Sequence, residues 1–234
     1  MRKNAKTLFL AGWGLLALFA LFTGLIRLAD VRPAGPAGAE VGFAALNSRF
    51  HAWTGVHMRL YHLTDWLGLV PVMICLLFAG LGFAQLVGRK SLRRVDGDLL
   101  LLGAYYAAVI LLYLLFERFP VNYRPVLIEG RREASYPSST TLLVLSVTPT
   151  LVFQAGRRLR SARMKKAVGA AAGIFALLTA LGRLLSGVHW LTDIAGGALL
   201  SAGLYMLYKA AVLALDEKAG REVSPWNSEK SCRR

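Results

Sequence analysis

The sequence predicts an all-α polytopic membrane protein that crosses the bilayer six times. Hydrophobic residues make up 56% of the chain, and they occur in blocks long enough to span a membrane, which favours a membrane protein over a soluble one. The mean hydropathy is positive, at +0.49. Lys and Arg outnumber Asp and Glu by 28 to 13, and they cluster between the apolar blocks, where they indicate topology. No basic stripe with interleaved aromatic residues supports a nucleic-acid-binding protein.

The first apolar block covers residues 7–28 and follows three basic residues. A spanning helix needs about 20 apolar residues, and this run is too long for the apolar part of a typical signal peptide. We therefore interpret it as a retained membrane anchor. Residues 40–66 mix apolar and polar side chains near helical spacing, which is typical of an amphipathic helix in the membrane interface. Gly55 is expected to break this helix.

Five more apolar blocks follow, separated by polar loops. The loop at residues 117–139 is irregular and rich in Pro and charged residues. We expect residues 1–215 to form a single six-helix transmembrane domain and residues 216–234 to form a polar cytoplasmic tail. The predicted spans two to six are residues 67–86, 99–116, 140–153, 168–184 and 190–208.

The basic clusters predict how the chain is oriented. They lie at the N-terminus, after the second span, after the fourth span and in the C-terminal tail. An even number of spans puts all of these on one side, which the positive-inside rule assigns to the cytoplasm. The segments 40–66, 117–139 and 183–189 then share the outer face of a cell membrane, so their polar residues are expected to meet there.

One stretch before the sixth predicted span carries polar residues suited to chemistry. His189 and Asp193 are four residues apart, so a helix that begins near His189 would place them on one face. An Asp in that position can hold one imidazole nitrogen and leave the other free as a nucleophile. Arg183 precedes a Ser-Gly turn and could fold back over the same place, where its planar guanidinium suits phosphate oxygens. The structural alternative is that the His and the Asp cap a buried helix.

Two more polar pieces fall on the same predicted face. Arg124 is followed by a proline, which biases its backbone to an extended conformation. Ser138 and Ser139 come just before the fourth span, and hydroxyl and N–H groups at a helix N-terminus form an anion site. Two arginines, such a helix terminus and an Asp-oriented His are the groups expected for phosphoryl transfer through a phosphohistidine. Alternatively, Glu129 or Glu133 pairs with these arginines and holds the loops together.

The histidines of the interfacial segment do not predict a metal site. His51, His57 and His62 are six and five residues apart, so they do not stack on one face of a helix. We interpret them as polar residues of the membrane interface.

The three polar pieces resemble those of the type 2 phosphatidic acid phosphatase family, the integral-membrane lipid phosphatases related to vanadium haloperoxidases. The pattern of that family is K-x6-R-P, then P-S-G-H, then S-R-x5-H-x3-D, and its six-span layout also resembles the one predicted here. The residues that match it are Arg124 and Pro125 of the first piece, Pro137 and Ser138 of the second with Ser139 in the Gly position, and Arg183, His189 and Asp193 of the third.

The resemblance implies a role for each matching residue. His189 would attack phosphorus, and Asp193 would orient the imidazole and stabilise its charged form. Because the arginines supply positive charge, no metal and no other cofactor is implied. The residues that would hold the phosphoryl oxygens are Arg124, Arg183, Ser138 and the backbone of Ser139.

The chain departs from the family pattern at two important positions. Glu117 stands where the family has its Lys, and a carboxylate repels phosphate. Arg118 is adjacent and could bind phosphate instead, although one residue on a helix rotates a side chain by about 100°. Otherwise Glu117 is expected to pair with Arg124 or with an arginine of the next loop. Thr140 stands where the family has the His that protonates the leaving oxygen, and a Thr hydroxyl proton is not available near neutral pH.

The sequence therefore predicts a membrane lipid phosphatase with its site on the extracytoplasmic face and both termini in the cytoplasm. Its partner would be a phosphorylated lipid of the bilayer: a polyprenyl diphosphate such as undecaprenyl diphosphate, or phosphatidic acid or phosphatidylglycerol phosphate. Loss of a general acid costs about 10²–10⁴ in rate, and a diphosphate should suffer least because its leaving group needs no proton. The alternative is a non-catalytic lipid-phosphate binder or transporter, and a haloperoxidase-like vanadate site is a third hypothesis.

Overall fold

The computed structural model describes the backbone of residues 2–222 and the side chains of residues 4–220. Within this range the regular structure is helical apart from a small antiparallel hairpin of β1 (Arg32–Pro33) and β2 (Glu40–Val41). The predicted all-α fold is therefore confirmed. The helices are α1 (Arg2–Leu28), α2 (Ala44–Thr54), α3 (Met58–Leu67), α4 (Leu69–Arg89), α5 (Gly97–Arg118), α6 (Ser139–Arg158), α7 (Ala162–Leu185) and α8 (Leu191–Glu222).

Six helical segments within the described residues are long and apolar enough to cross a membrane, as predicted. They are longer than the apolar blocks because their polar ends are helical too. Arg89, Arg118 and Arg157 lie in the last turns of α4, α5 and α6, where a cation interacts favourably with the helix dipole. The whole segment Met58–Arg89 counts as one span, because α3 leads directly into α4.

The predicted interfacial helix over residues 40–66 is wrong in its extent. Of this segment, only α2 is a helix separate from the membrane spans. It ends at Gly55, whose φ of +66° stops the helix as expected. Residues 58–66 belong to the second span, because Gly68 keeps helical backbone angles between α3 and α4. Pro71 lacks an N–H and interrupts the hydrogen-bond ladder near this point.

Helix α6 lies at the centre of the bundle, in contact with α4, α5, α7 and α8. Half of its spanning window, 50%, is buried, whereas the other spans bury 17% to 33%. Its polar side chains are paired across helices: Ser146 donates to Ser201 at 3.3 Å and Thr150 shares a hydrogen bond of 2.8 Å with Tyr106. The central helix is therefore fixed in rotation by hydrogen bonds as well as by packing.

The end of the bundle far from the polar loops is held by ion pairs. Arg157 contacts Asp98 of α5 at 3.0 Å and Asp216 of α8 at 2.7 Å. The pair with Asp216 belongs to a helix that continues to Glu222, so residues 216–222 of the predicted tail are part of α8. The rest of that predicted tail lies outside the described residues.

At the opposite end, side-chain hydrogen bonds tie the loops to the start of α8. Asn47 donates to Thr192 Oγ1 at 3.0 Å. The indole of Trp190 donates to the carbonyl oxygen of Tyr123 at 2.7 Å, which anchors the loop between α5 and α6. Tyr136 in the same loop shares a hydrogen bond of 2.8 Å with Thr23 of α1. These bonds bring the loop after α5 against the helix that follows His189.

Candidate active site

His189 lies in the tight turn between α7 and α8. Gly187 makes this turn with φ +69°, and a Cβ on it would lie 1.8 Å from the Gly55 carbonyl oxygen, so only glycine fits. His189 is 2% exposed. Helix α8 begins at Leu191, one residue after the start of the predicted sixth span. The turn therefore places the imidazole inside the protein, ahead of the helix.

Asp193 faces the imidazole from the first turn of α8. Its Oδ2 lies 3.4 Å from His189 Nδ1 and accepts a hydrogen bond of 2.9 Å from the backbone N–H of Trp190. The contact with Nδ1 is longer than a normal hydrogen bond. A carboxylate beside Nδ1 favours the tautomer with its proton there, so that Nε2 keeps its lone pair.

Two guanidinium groups flank the other nitrogen of the imidazole. Arg183 Nη2 lies 3.4 Å and Arg124 Nη1 lies 3.5 Å from His189 Nε2. Arg183 is 1% exposed and Arg124 is 8% exposed. Burial and the positive charges of Arg124 and Arg183 hold the pKa of His189 well below its usual range. The low pKa keeps the imidazole neutral at pH 7, and a neutral imidazole can act as a nucleophile.

Other residues fix the direction of the two arginines. Glu133 Oε2 lies 3.1 Å from Arg124 Nε, which turns the Nη atoms towards His189. The ring of Tyr61 on α3 lies 4.8 Å from Arg183 Cζ and 5.6 Å from Arg124 Cζ, and an aromatic face attracts such cations. The structural alternative from the sequence, a pair with Glu133, is therefore present, and it uses the side of Arg124 that faces away from the imidazole.

The start of α6 contributes Ser138, Ser139 and Thr140. Ser138 is fully buried; its N–H donates to the Asp193 carbonyl oxygen at 3.1 Å and its hydroxyl accepts from Thr141 at 3.0 Å. The predicted phosphate-binding Ser138 thus already joins α6 to α8. Ser139 lines the cavity that reaches His189.

Two cavities meet at the first turn of α6. The polar cavity, of about 400 Å³, is lined by His189, Arg124 and the loop after α5. The apolar cavity, of about 430 Å³, lies between α4, α5 and α6. Tyr113, Ser139 and Leu142 line both cavities, whereas Thr140 lines only the apolar one. A head group in the first cavity could therefore continue into an apolar tail in the second.

The two charged residues at the end of α5 lie in different places. Glu117 lines the polar cavity, and it forms no ion pair with Arg124, which pairs with Glu133 instead. Arg118 is exposed and stacks on Phe119, with its Cζ 5.4 Å from the ring centroid. Arg118 does not line the polar cavity, because one residue of helix separates its direction from that of Glu117.

The histidines of the outer segment lie apart from one another. His57 contacts the Thr54 carbonyl oxygen at 2.9 Å, and the His51 ring packs on Trp190 at 5.6 Å. In the described part of the chain, no three His, Cys, Asp or Glu side chains are grouped so that they could hold a metal ion.

The structure thus brings Arg124, Arg183, His189 and Asp193 into contact, as the sequence analysis expected. It adds two residues of α3 that the motifs did not indicate: Tyr61, which faces both arginines, and Asp65, whose Oδ1 lies 3.5 Å from Arg183 Nη1. Both lie in the segment that the sequence analysis assigned to the interfacial helix, and no local pattern distinguishes them from interfacial polar residues.

The chain is similar to known proteins in both sequence and fold. Residues 101–215 match the sequence model of the PAP2 superfamily. None of the curated proteins matches the chain. Among solved structures, the chain is similar to the crystal structure described as the first transmembrane PAP2 type phosphatidylglycerolphosphate phosphatase from Bacillus subtilis, with a TM-score of 0.61 and 22% sequence identity. That similarity covers 88% of this chain and 96% of the other.

The family match covers the positions of Arg124, Ser138, Arg183, His189 and Asp193. The likeness in structure extends the shared fold to nearly the whole chain. The family indicated by the sequence is confirmed over residues 101–215, which match the model of the PAP2 superfamily.

Proposed function

We propose that the chain is a membrane lipid phosphatase that hydrolyses a lipid phosphate or diphosphate through a phosphohistidine at His189. The observation that carries this proposal is the neutral, buried imidazole whose Nε2 lies between Arg124 and Arg183 at 3.5 and 3.4 Å. Two guanidinium groups with no phosphate between them repel each other, so the site favours an anion. A phosphoryl group at this point is within reach of both arginines and of the nucleophile.

The proposed reaction has two steps. His189 Nε2 attacks phosphorus, the bond from phosphorus to the leaving oxygen breaks, and the imidazole becomes positively charged. Asp193 next to Nδ1 stabilises that charge. Water then attacks phosphorus, the bond to Nε2 breaks, and inorganic phosphate leaves. Arg124 and Arg183 hold the phosphoryl oxygens throughout, since planar guanidinium groups can bind two oxygens at once.

The apolar cavity supports a lipid as the substrate. It opens between α4, α5 and α6, which are themselves spanning helices, and it shares Tyr113, Ser139 and Leu142 with the polar cavity. A polyprenyl diphosphate, phosphatidic acid or phosphatidylglycerol phosphate would place its tail there and its phosphate beside His189. The basic clusters at the other end of the bundle support an active site on the extracytoplasmic face, with both termini in the cytoplasm.

The test is phosphate release by the detergent-solubilised full chain from a panel of lipid mono- and diphosphates. We expect release that His189→Ala abolishes, and a phosphoenzyme in the parent protein that is stable in alkali, labile in acid and missing from His189→Ala. Release that is unchanged in His189→Ala would refute the proposal.

The second candidate function is a lipid-phosphate binder or transporter that does not turn over its ligand. Two observations favour it: Glu117 lines the polar cavity, and Thr140 occupies the position of the proton donor. Its signature is binding of a lipid phosphate without phosphate release, both in the parent protein and in Thr140→His. Rapid turnover in either protein would exclude it.

A further inference from the structure

In the reaction proposed above, no residue supplies a proton to the lipid oxygen as it leaves phosphorus. An alkoxide leaves phosphorus readily only when a proton reaches it as the bond breaks. The hydroxyl of Thr140 cannot supply a proton near neutral pH. The leaving oxygen of a bound lipid joins the phosphate to the tail, so it lies where the polar cavity meets the apolar one, at Ser139. The donor must be at that junction.

Asp65 is positioned at the junction from the opposite side. It lines the apolar cavity together with Ser139 and Thr140. Its Oδ1 lies 3.5 Å from Arg183 Nη1, and Arg183 Nη2 lies 3.4 Å from His189 Nε2. One guanidinium therefore contacts both the carboxyl and the nucleophile, so a phosphoryl group held by that guanidinium would lie near both. The Asp65 side chain is 58% exposed, so neighbouring side chains do not enclose it.

The turn that carries Asp65 also contacts the position of the missing histidine. A Cβ on Gly68 would lie 3.6 Å from Thr140 Cγ2 and 2.8 Å from the Asp65 carbonyl oxygen. The end of α3 and the first turn of α6 thus face each other across the cavity mouth. A carboxyl on the α3 side can reach the same leaving oxygen that a side chain at position 140 would reach.

We propose that Asp65 is the acid–base residue of the reaction, an assignment that rests on the proposed phosphatase function. In the first step the Nε2–P bond forms, the P–O bond of the lipid breaks, and the Asp65 carboxyl proton passes to the leaving oxygen, which gives the lipid alcohol and a carboxylate. In the second step that carboxylate takes a proton from the water that attacks phosphorus. Phosphate leaves, and Asp65 is again a carboxylic acid.

The charges around Asp65 suit this cycle. A phosphate dianion bound by Arg183 adds negative charge beside Asp65, and nearby negative charge favours a protonated carboxyl over a carboxylate. Among the described residues, Asp65 is the carboxyl that lines the apolar cavity. The other ionisable groups that face the carboxyl or this cavity are Arg183, Tyr61, Cys75, Tyr106 and Tyr113.

The experiment compares two substrates that carry the same phosphoryl group on different leaving groups. Dodecyl phosphate leaves as an alkoxide and needs a proton, whereas 4-nitrophenyl phosphate leaves as a stable anion. In the full chain, Asp65→Asn is expected to lower kcat/KM for dodecyl phosphate by about 10²–10⁴ and for 4-nitrophenyl phosphate by less than about tenfold. If Asp65 served only to hold Arg183 in place, Asp65→Asn would lower kcat/KM for both substrates alike, because Arg183 holds the phosphoryl group of each.

Two further variants test the assignment, and one of them, Asp65→Glu, does not depend on the folding of Asp65→Asn. Thr140→His puts an imidazole on the opposite wall of the cavity mouth, so it should restore dodecyl phosphate hydrolysis to Asp65→Asn by at least about tenfold. Asp65→Glu keeps a carboxyl and should retain more activity than Asp65→Asn. Glu117→Gln and Tyr113→Phe are the matched controls, since both parent residues line the polar cavity and could compete for the role.

The outcomes separate this assignment from the proposed function. Equal losses on both substrates in Asp65→Asn, or no recovery with Thr140→His, would overturn the role of Asp65 and leave the phosphatase intact. A loss confined to dodecyl phosphate in Glu117→Gln or Tyr113→Phe would move the role to that residue. A parent protein that releases phosphate from neither substrate nor from any lipid diphosphate refutes the proposed function, and this assignment with it.

Discussion

Anion binding should stabilise the protein, because Arg124 and Arg183 face each other around a neutral imidazole. Orthovanadate or phosphate that binds only the folded state at 100 times its Kd adds about 2.7 kcal/mol of stability. For a chain of this size about 1 kcal/mol corresponds to about 2–4 °C in Tm. We therefore expect a rise in Tm of about 5–10 °C in detergent, measured from tryptophan fluorescence.

Removing one guanidinium should remove most of this rise. A hydrogen bond to a charged group contributes about 1.5–3 kcal/mol, and both arginines are buried, at 8% and 1% exposure. The Kd should therefore increase about 10- to 150-fold. At the same anion concentration, Arg124→Gln or Arg183→Gln would keep only about 0.3–1.4 kcal/mol of the stabilisation. Each variant is compared with its own Tm without anion, so its intrinsic stability does not enter.

Arg118→Gln is the matched control, because Arg118 stacks on Phe119 and does not line the polar cavity. It should show the same rise in Tm as the parent protein. The reasoning fails if Arg118→Gln loses the rise, or if Arg124→Gln and Arg183→Gln keep it in full.

Three further predictions test other parts of the site. Burial and two arginines hold the pKa of His189 well below its usual range, so the proposed nucleophile should stay neutral when the pH falls through 6.5. A pH–rate profile of kcat/KM for 4-nitrophenyl phosphate should therefore show no loss from protonation of a histidine near pH 6.5. Because Asp65 already supplies the proton in the parent protein, Thr140→His alone should change hydrolysis of an alkyl phosphate and of a lipid diphosphate by less than about tenfold each, measured by phosphate release. Gly187→Ala should lower Tm or prevent folding, because its Cβ would meet the Gly55 carbonyl oxygen at 1.8 Å; a Tm equal to that of the parent would contradict the described turn.

The spans could be predicted from the sequence because their signal is local. Each needs a continuous apolar block, and hydropathy reports that directly. The helix ends could not, because Arg89, Arg118 and Arg157 continue the helices through polar residues that hydropathy counts as loop. The continuity of α3 and α4 was missed for a similar reason. Residues 58–66 include polar side chains that hydropathy counts as outside the span, and only the backbone angles of Gly68 show that they continue into it as helix.

The site was predictable where spacing carries information and not where contacts join distant segments. His189 and Asp193 are close in sequence, so their contact could be expected from their spacing, although His189 lies in the turn before α8 and not in the helix. Arg183 is drawn to the same place by the Ser-Gly turn. Tyr61 and Asp65 reach the site from a segment more than 100 residues away, and nothing in their local pattern marks them. The pairing of Arg124 with Glu133 rather than Glu117 likewise depends on the loop conformation, which the sequence does not specify.

The contacts of α3 and α4 predict that the proposed phosphatase prefers lipids over soluble phosphates. Three oxygen atoms of α3, one of them from Asp65, lie 3.5 Å from Arg183 Nη1, so this helix positions the guanidinium. Leu69 and Val72 at the start of α4 line the apolar cavity. Because Gly68 keeps the two helices in one continuous segment, a tail in that cavity would restrain the same segment that holds Arg183. Binding energy from the tail would then be realised at the phosphoryl group, whereas a soluble phosphate ester would fill only the polar cavity and leave that segment unrestrained.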